Sequence, residues 1–164
     1  RTKPRATRGR GRSQTNKVTT LIERESGAAR SFVVDNVDWK TIKPIMDENI
    51  SHEARILTDE GTHYTNTDVY FTKHDTVNHS AYEYVSRTDR TNHINTNEGF
   101  FSIFKRGMKG VYQHCSKHHL PRYLAEFDFR YSNRIRLGVN DSQRAEIALK
   151  GIGGKRLTYR RIGA

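Results

Sequence analysis

The sequence predicts an α/β fold in which helices cover a sheet. Segments rich in β-branched and apolar residues alternate with segments whose apolar residues recur at helical spacing, in the order strand, strand, helix, strand, helix, strand, helices. The chain has 164 residues, of which 34% are hydrophobic, and this is enough for one domain with its own core. No run approaches the ~20 apolar residues that a membrane helix needs, and no signal-peptide stretch opens the sequence.

The first two strands are predicted to form a β-hairpin, and a helix follows them. The runs VTTLIERE and ARSFVVDNV are β-branched or apolar, and Ser26 and Gly27 between them favour a turn. In DWKTIKPIMDENI the apolar residues recur at helical spacing, and Asp38 is a suitable N-cap. Pro44 weakens this helix unless it lies in the first turns.

A buried strand and two less regular segments come next. The run ARILTDEG is apolar at Ile56 and Leu57 and turns at Gly61, so Asp59 is expected at the carboxyl end of a strand. THYTNTDVYFTKH is predicted as a short helix, and DTVNHSAYEYV as a further strand.

Two long helices carry the most regular patterns. In LPRYLAEFDFRYSNR the apolar residues fall at positions i, i+3, i+4, i+7 and i+11, which predicts a helix with one packing face. In NEGFFSIFKRGMKGVYQHC a broad apolar surface lies opposite a polar side that carries Glu98, Ser102, Lys105 and Lys109. Both helices are therefore expected to cover the sheet.

Charge is distributed unevenly along the chain. The formal net charge is +11; residues 1–17 hold seven basic residues and residues 150–164 hold five, with no acidic residue in either segment. Residues 18–97 hold 8 basic against 13 acidic residues, whereas residues 98–136 hold 8 against 3. Basic surfaces attract a polyanion and carboxylates attract a divalent cation. Nucleic acid together with a metal ion would therefore match both the basic and the acidic part of the chain.

This distribution predicts three segments: a basic flexible arm over 1–17, a folded domain over 18–136 and a basic tail over 137–164. The arm has no large apolar residue. Within the tail the run KGIGGKRLTYRR is basic and interrupted by glycines, so this run is expected either to contact DNA or to be disordered. Cys115 is the only cysteine, which excludes an internal disulfide and suits a reducing, cytoplasmic compartment.

Asp59 and Glu98 are the candidate catalytic residues. One is expected at the end of a strand and the other at the start of a helix, and a carboxylate pair on such rigid elements can bind Mg²⁺. Two such ions ~3.5–4 Å apart can assist the displacement of a phosphodiester. Lys105 returns to the face of Glu98 about two turns later, where it can hold a DNA phosphate. The spacing alone leaves a purely structural explanation open, because a glutamate at a helix start also complements the helix dipole.

A family resemblance extends over most of the chain. The runs TDEG, VNHSAYEYV and HINTNEGFFSIFKRGMKGVYQHCSKHHLPRYLAEFDFRYSNR resemble the ISXO2-like branch of bacterial insertion-sequence transposases, in the DDE superfamily, and the resemblance covers about residues 8–135. It implies a ribonuclease-H-like mixed sheet flanked by helices, and an enzyme that nicks transposon ends and joins the 3′-hydroxyl to target DNA with Mg²⁺ or Mn²⁺. It also implies DNA as the partner, a homo-oligomer in a synaptic complex, and a place in the bacterial cytoplasm at the nucleoid.

The resemblance further implies roles for individual residues. Asp59 and Glu98 match two of the family's three catalytic carboxylates, which bind the metal. His93 and Asn95 match motif positions that are expected to orient Glu98 or the DNA. The residues expected to contact DNA phosphates are Lys105, Arg106 and Lys109.

The family's first catalytic aspartate has no counterpart in this sequence. In the family it stands on a strand upstream of the stretch that corresponds to residues 1–17, and in a ribonuclease-H-like sheet that strand is central. The chain is therefore expected to be a fragment or a decayed copy that is inactive by itself, with neighbouring strand edges left open. Asp35 is the one internal substitute, but its strand is expected near the sheet edge, away from Asp59. The alternative class is a non-catalytic basic module that binds nucleic acid without cutting it.

Overall fold

The computed structural model describes residues 16–64, 66–77, 93–113 and 115–155, and these contain four strands and five α-helices. In chain order the elements are β1 (Lys17–Ile22), β2 (Ala29–Val34), α1 (Trp39–Asn49), β3 (Arg55–Asp59), a 3₁₀ turn (Thr62–Tyr64), α2 (Thr67–Tyr70), β4 (Lys73–Val77), α3 (Asn95–Gly107), a π-helical turn (Met108–Tyr112), α4 (Leu120–Ser132), a second 3₁₀ turn (Ile135–Leu137) and α5 (Asp141–Lys150). The α/β class predicted from the sequence is confirmed.

The predicted β-hairpin is also confirmed. β1 pairs antiparallel with β2, from Lys17 opposite Val34 to Ile22 opposite Ala29. Gly27 lies in the connecting turn with a φ of +71°, a backbone conformation that residues with a side chain rarely adopt. This turn fixes the register of the two strands.

The second sheet pairs β3 with β4 in parallel. Arg55 lies opposite Lys73, and Asp59 lies opposite Val77. Parallel neighbours need a crossover, which here is the first 3₁₀ turn and α2, so the short helix predicted in this segment is confirmed. Of the strand predicted over DTVNHSAYEYV, the first three residues belong to β4, and the remainder lies outside the described residues.

α1 and the second sheet share one core. Asp38 caps the helix as predicted, because its Oδ1 accepts a hydrogen bond from the N–H of Thr41 at 2.8 Å. Pro44 lies beyond the first turn, and the helix continues through it to its end at Asn49. The buried residues of this core are Ile42, Met46, Ile56 and Phe71.

α3 and α4 pack with the hairpin in a second core. Aromatic rings meet edge to face there, Phe100 with Tyr131 at 5.2 Å between centroids and Phe104 with Phe127 at 5.1 Å. The packing faces predicted for the two long helices are therefore the faces that are buried. The buried members of this core are Phe100, Phe104, Leu120 and Leu124, and Val18, Ile22, Ala29 and Val33 of the hairpin pack against them.

The described strands form two separate two-stranded sheets, β1–β2 and β3–β4, which share no strand. The sequence analysis predicted one mixed sheet that lacks its central strand and leaves the neighbouring strand edges open. Among the described residues no strand pairs with the outer edge of β1 or with the outer edge of β3, so the two sheets are separate. Each sheet instead packs on its own helices in its own core.

A capped helix lies in the segment that the sequence analysis treats as a tail. The side chains of Asn140 and Gln143 each accept a hydrogen bond from the other's backbone N–H at 2.9 Å, and this capping box begins α5. The Nε–H of Arg144 donates to the carbonyl of Asn133 at 2.8 Å. No residue of α5 is buried, so hydrogen bonding connects it to the end of α4. Within the described ranges, no helix is both long enough and apolar enough to cross a membrane.

Candidate active site

A cavity of about 640 Å³ lies between the carboxyl end of β3 and the first turns of α3. Three residues that the sequence analysis singled out, Asp59, Glu98 and Lys105, share this cavity. It thus lies where the two cores meet, since β3 belongs to one and α3 to the other. The complete lining is Asp59, Glu60, Gly61, Ile94, Asn97, Glu98, Phe101, Ser102 and Lys105.

Asp59 is the last residue of β3, as predicted, and it is exposed. Its Oδ1 accepts a hydrogen bond from the N–H of Gly61 at 3.1 Å. A Cβ atom at Gly61 would lie 2.9 Å from that oxygen and 2.5 Å from Cε1 of His63. Gly61 therefore leaves room for a carboxylate and an imidazole to approach the same point, a role that the sequence analysis did not assign.

Glu98 lies in the first turn of α3, on the side opposite the buried rings of Phe100 and Phe104. The positive end of the helix dipole favours a carboxylate at this position. Ser102 and Lys105 follow on the same side of the helix and line the same cavity. The polar side predicted from the helical spacing is therefore the side that faces the cavity.

Asn97 is a cavity residue that the sequence analysis missed. Its Oδ1 is buried and has no hydrogen-bond partner. A buried polar atom without a partner costs free energy, on the order of 1–3 kcal/mol, unless a ligand or ion satisfies it. Only its position immediately before Glu98 could have pointed to it, because burial is not visible in the sequence.

His93 and Asn95 flank the start of α3 and do not line the cavity. The carbonyl of His93 accepts a hydrogen bond from the guanidinium of Arg24, which ties the hairpin to the entry of the helix. Burial, and to a lesser extent the charge of Arg24, lowers the pKa of the His93 imidazole. Its Nδ1 is buried without a hydrogen-bond partner, and Asn95 is exposed.

The three basic residues predicted to contact DNA phosphates lie in different places. Lys105 lines the cavity, and its ammonium lies 5.9 Å from the centroid of the Phe101 ring. Lys109 lies in the π-helical turn and lines a separate groove of about 270 Å³ beside the start of β1. Arg106 is exposed and lines neither.

Tyr64 lies within the electrostatic influence of Asp59, whereas Asp35 does not belong to this site. Tyr64 is partly buried, and burial together with the Asp59 carboxylate raises its pKa to about 12. Asp35 lies after β2, outside the cavity, and forms an ion pair with Lys117. The hydrogen bond and charge of Lys117 lower the pKa of the Asp35 carboxyl. Asp35 is therefore engaged elsewhere, as the sequence analysis expected.

The cavity offers oxygen donors of the kind that Mg²⁺ and Mn²⁺ prefer. These are the carboxylates of Asp59 and Glu98 and the unpartnered amide oxygen of Asn97. In the part of the chain that the structure describes, no three His, Cys, Asp or Glu side chains lie close enough together to hold a metal ion. The donors present therefore fit a divalent cation as part of a site.

Comparison with known proteins identifies the class. The model of the ISXO2-like transposase domain matches residues 1–132, and the chain belongs to this family of transposases. An uncharacterized transposase-like protein of Haemophilus influenzae is 30% identical over 103 residues, which cover 63% of this chain and 80% of that protein. No solved structure matches the chain.

Proposed function

We propose that the chain carries part of the catalytic site of a DDE-type DNA transposase, with Asp59 and Glu98 as metal-binding carboxylates. The observation that carries this proposal is the single cavity that contains both carboxylates and Lys105, in a chain that belongs to a transposase family. A divalent metal held there would activate an attacking hydroxyl and stabilise the leaving oxygen of a phosphodiester.

The other cavity residues suit a nucleic-acid strand. The ammonium of Lys105 provides a positive charge for a phosphate near the carboxylates, and the Phe101 ring and Ile94 provide an apolar wall. Arg106 and Lys109, outside the cavity, extend positive charge along the same helical segment and its π-helical turn. We propose that these cations bind transposon ends and target DNA, in a homo-oligomeric synaptic complex at the bacterial nucleoid.

The unpaired edges of the two sheets support the proposal that the domain has a ribonuclease-H-like fold. β1 and β3 each have one strand partner among the described residues, and the cavity lies at the carboxyl end of β3. A further strand between β1 and β3 would join the two sheets into one and would end close to this cavity. We propose that such a strand, outside the described residues, contributes the third carboxylate.

Metal binding is tested by thermal unfolding with and without Mn²⁺. A ligand that binds only the folded state at about 100 times its Kd stabilises it by about 2.7 kcal/mol, or roughly 5–10 °C for a chain of this size. We expect such a rise in Tm for the unmodified chain and its loss in Asp59→Asn and in Glu98→Gln. Asp35→Asn is the matched control, because Asp35 also follows a strand but lies outside the cavity.

The same titration separates the proposal from its alternative. A non-catalytic nucleic-acid-binding module would respond to salt but not to Mn²⁺, so an unchanged Tm in all four proteins would favour it. Strand transfer is a second test, because it is expected to need the third carboxylate. Mn²⁺-dependent strand transfer by the 164-residue chain alone, lost in Asp59→Ala, would contradict that requirement.

A further inference from the structure

A hydrogen-bonded relay of three side chains reaches the end of β3 from behind the cavity. The relay consists of Asp68, His74 and Thr58. Oδ1 of Asp68 lies 2.8 Å from Nδ1 of His74, and Nε2 of His74 lies 2.8 Å from Oγ1 of Thr58. The Thr58 hydroxyl also lies 2.9 Å from the backbone carbonyl oxygen of Asp59. The relay therefore ends on the residue proposed to bind the metal.

The relay is buried at its centre and open at its outer end. The side chain of His74 is 4% exposed and that of Asp68 is 70% exposed, while Thr58 is 8% exposed. The parallel register places His74 opposite Ile56, so Thr58, two residues further along β3, lies on the same face of the sheet. A buried imidazole needs partners for both ring nitrogens, and the relay supplies them.

Two hydrogen bonds of the relay have a fixed direction. A carboxylate only accepts, so Nδ1 of His74 donates to Asp68. The hydroxyl of Thr58 donates its one proton to the carbonyl oxygen of Asp59, and its oxygen lies within hydrogen-bond distance of Nε2 of His74. The position of the hydroxyl is therefore set by the imidazole, whose own orientation is set by Asp68.

Asp59 is consequently held on two sides. Thr58 contacts its carbonyl oxygen, and the N–H of Gly61 contacts its carboxylate. We infer that Asp68, His74 and Thr58 are positioning residues, which hold the end of β3 so that the Asp59 carboxylate keeps its orientation toward the cavity. The inference rests on the proposed role of Asp59 as a metal ligand.

Two measurements separate positioning from mere stabilisation of the sheet. Hydrogen exchange at the Gly61 amide, followed by NMR on the metal-free protein, reports whether its bond to Asp59 persists. The Kd for Mn²⁺, from electron paramagnetic resonance, reports the consequence for the metal. The informative variants are His74→Phe, Thr58→Val and Asp68→Ala. The last replaces a largely exposed side chain, so it tests the relay even where a core substitution prevents folding.

Two further variants serve as controls. Thr58→Ser keeps the hydroxyl and should restore what Thr58→Val loses. His52→Phe removes another imidazole of the same region: its Nδ1 lies 2.9 Å from the carbonyl of Tyr70 and its ring stacks on Phe71, but no hydrogen bond links it to β3. Both controls are expected to match the unmodified protein.

We expect hydrogen exchange at the Gly61 amide to be about threefold faster in the three relay variants, because the bond from this amide to Asp59 would be weakened by about as much as one net hydrogen bond contributes. The Kd for Mn²⁺ should rise by about 10-fold, as for residues that orient a metal ligand. A lower Tm with unchanged exchange and unchanged Kd would show that the relay only stabilises the sheet, and would overturn the inference. If Mn²⁺ binding does not depend on Asp59, the proposed function fails, and the exchange result alone still decides whether the relay positions Asp59.

Discussion

The same substitution at two glycines of α3 is expected to have opposite effects on stability. Gly99 and Gly107 both lie in the helix that carries Glu98 and Lys105. Replacing an exposed helical glycine with alanine stabilises by about 1 kcal/mol, because the unfolded chain loses conformational freedom. At Gly99 a Cβ would meet no atom within 4 Å, so Gly99→Ala should gain this full amount.

At Gly107 the added Cβ would lie 2.4 Å from Cζ of Phe127. That ring cannot move freely, because it packs edge to face against Phe104 at 5.1 Å and lies 6.2 Å from Tyr112. Overpacking of this kind costs roughly 1–3 kcal/mol, which equals or exceeds the gain in helix propensity. Gly107→Ala should therefore be neutral to about 2 kcal/mol destabilising.

Urea unfolding of the two variants and of the double variant Gly107→Ala/Phe127→Leu provides the assay. Relative to Phe127→Leu alone, the double variant should show most of the gain that alanine gives at Gly99, because the smaller leucine leaves room for the added Cβ. Equal stabilisation by Gly99→Ala and Gly107→Ala would refute the close approach of α3 and α4. It would also refute the placement of Glu98 and Lys105 that depends on this packing.

Three further predictions concern the core and the titrating groups. Leu124→Ala removes a side chain that is 1% exposed and should destabilise by about 2–5 kcal/mol in the same assay. Burial raises the pKa of Asp128 although Ser31 donates to it twice, so the folded state binds this proton more tightly than the unfolded state. Stability should therefore fall as pH rises from the ordinary value of 3.8 through the raised pKa, and Asp128→Asn should remove this dependence, as measured by urea unfolding across that range. Tyr64 should titrate at about 12 by ultraviolet absorbance, and in Asp59→Asn its pKa should fall without reaching the ordinary value of 10.0, because burial remains.

The sequence was sufficient for the local placement of the candidate site. The helical period of 3.6 residues predicts that Glu98, Ser102 and Lys105 share one side of a helix. The short apolar run at Ile56 and Leu57 predicts that Asp59 ends a strand. Both placements depend only on residues close together in the chain. The helix α5 was missed, because none of its residues is buried and its pattern lacks an apolar face.

Other features could not be predicted because they depend on tertiary contacts. Asn97 is notable only through its burial, and His74 meets Thr58 only through the parallel register of β3 and β4. Lys109 was predicted from the helical period to lie on the side of Lys105, whereas it lines a separate groove beside the start of β1. Patterns along the chain predict strands but not which edges pair, and the open strand edges were expected only because the family resemblance implies a central strand that this sequence lacks.

Asp59 and Glu98 are proposed to hold one divalent cation between β3 and α3. Fe²⁺ in place of Mg²⁺, with ascorbate and peroxide, generates hydroxyl radicals that cut the backbone beside the bound ion. We predict two clusters of cuts, one around Asp59 and one around Glu98, both suppressed by excess Mg²⁺ and both lost in Asp59→Asn and in Glu98→Gln. Cuts at other positions only, or cuts that persist in both variants, would contradict it.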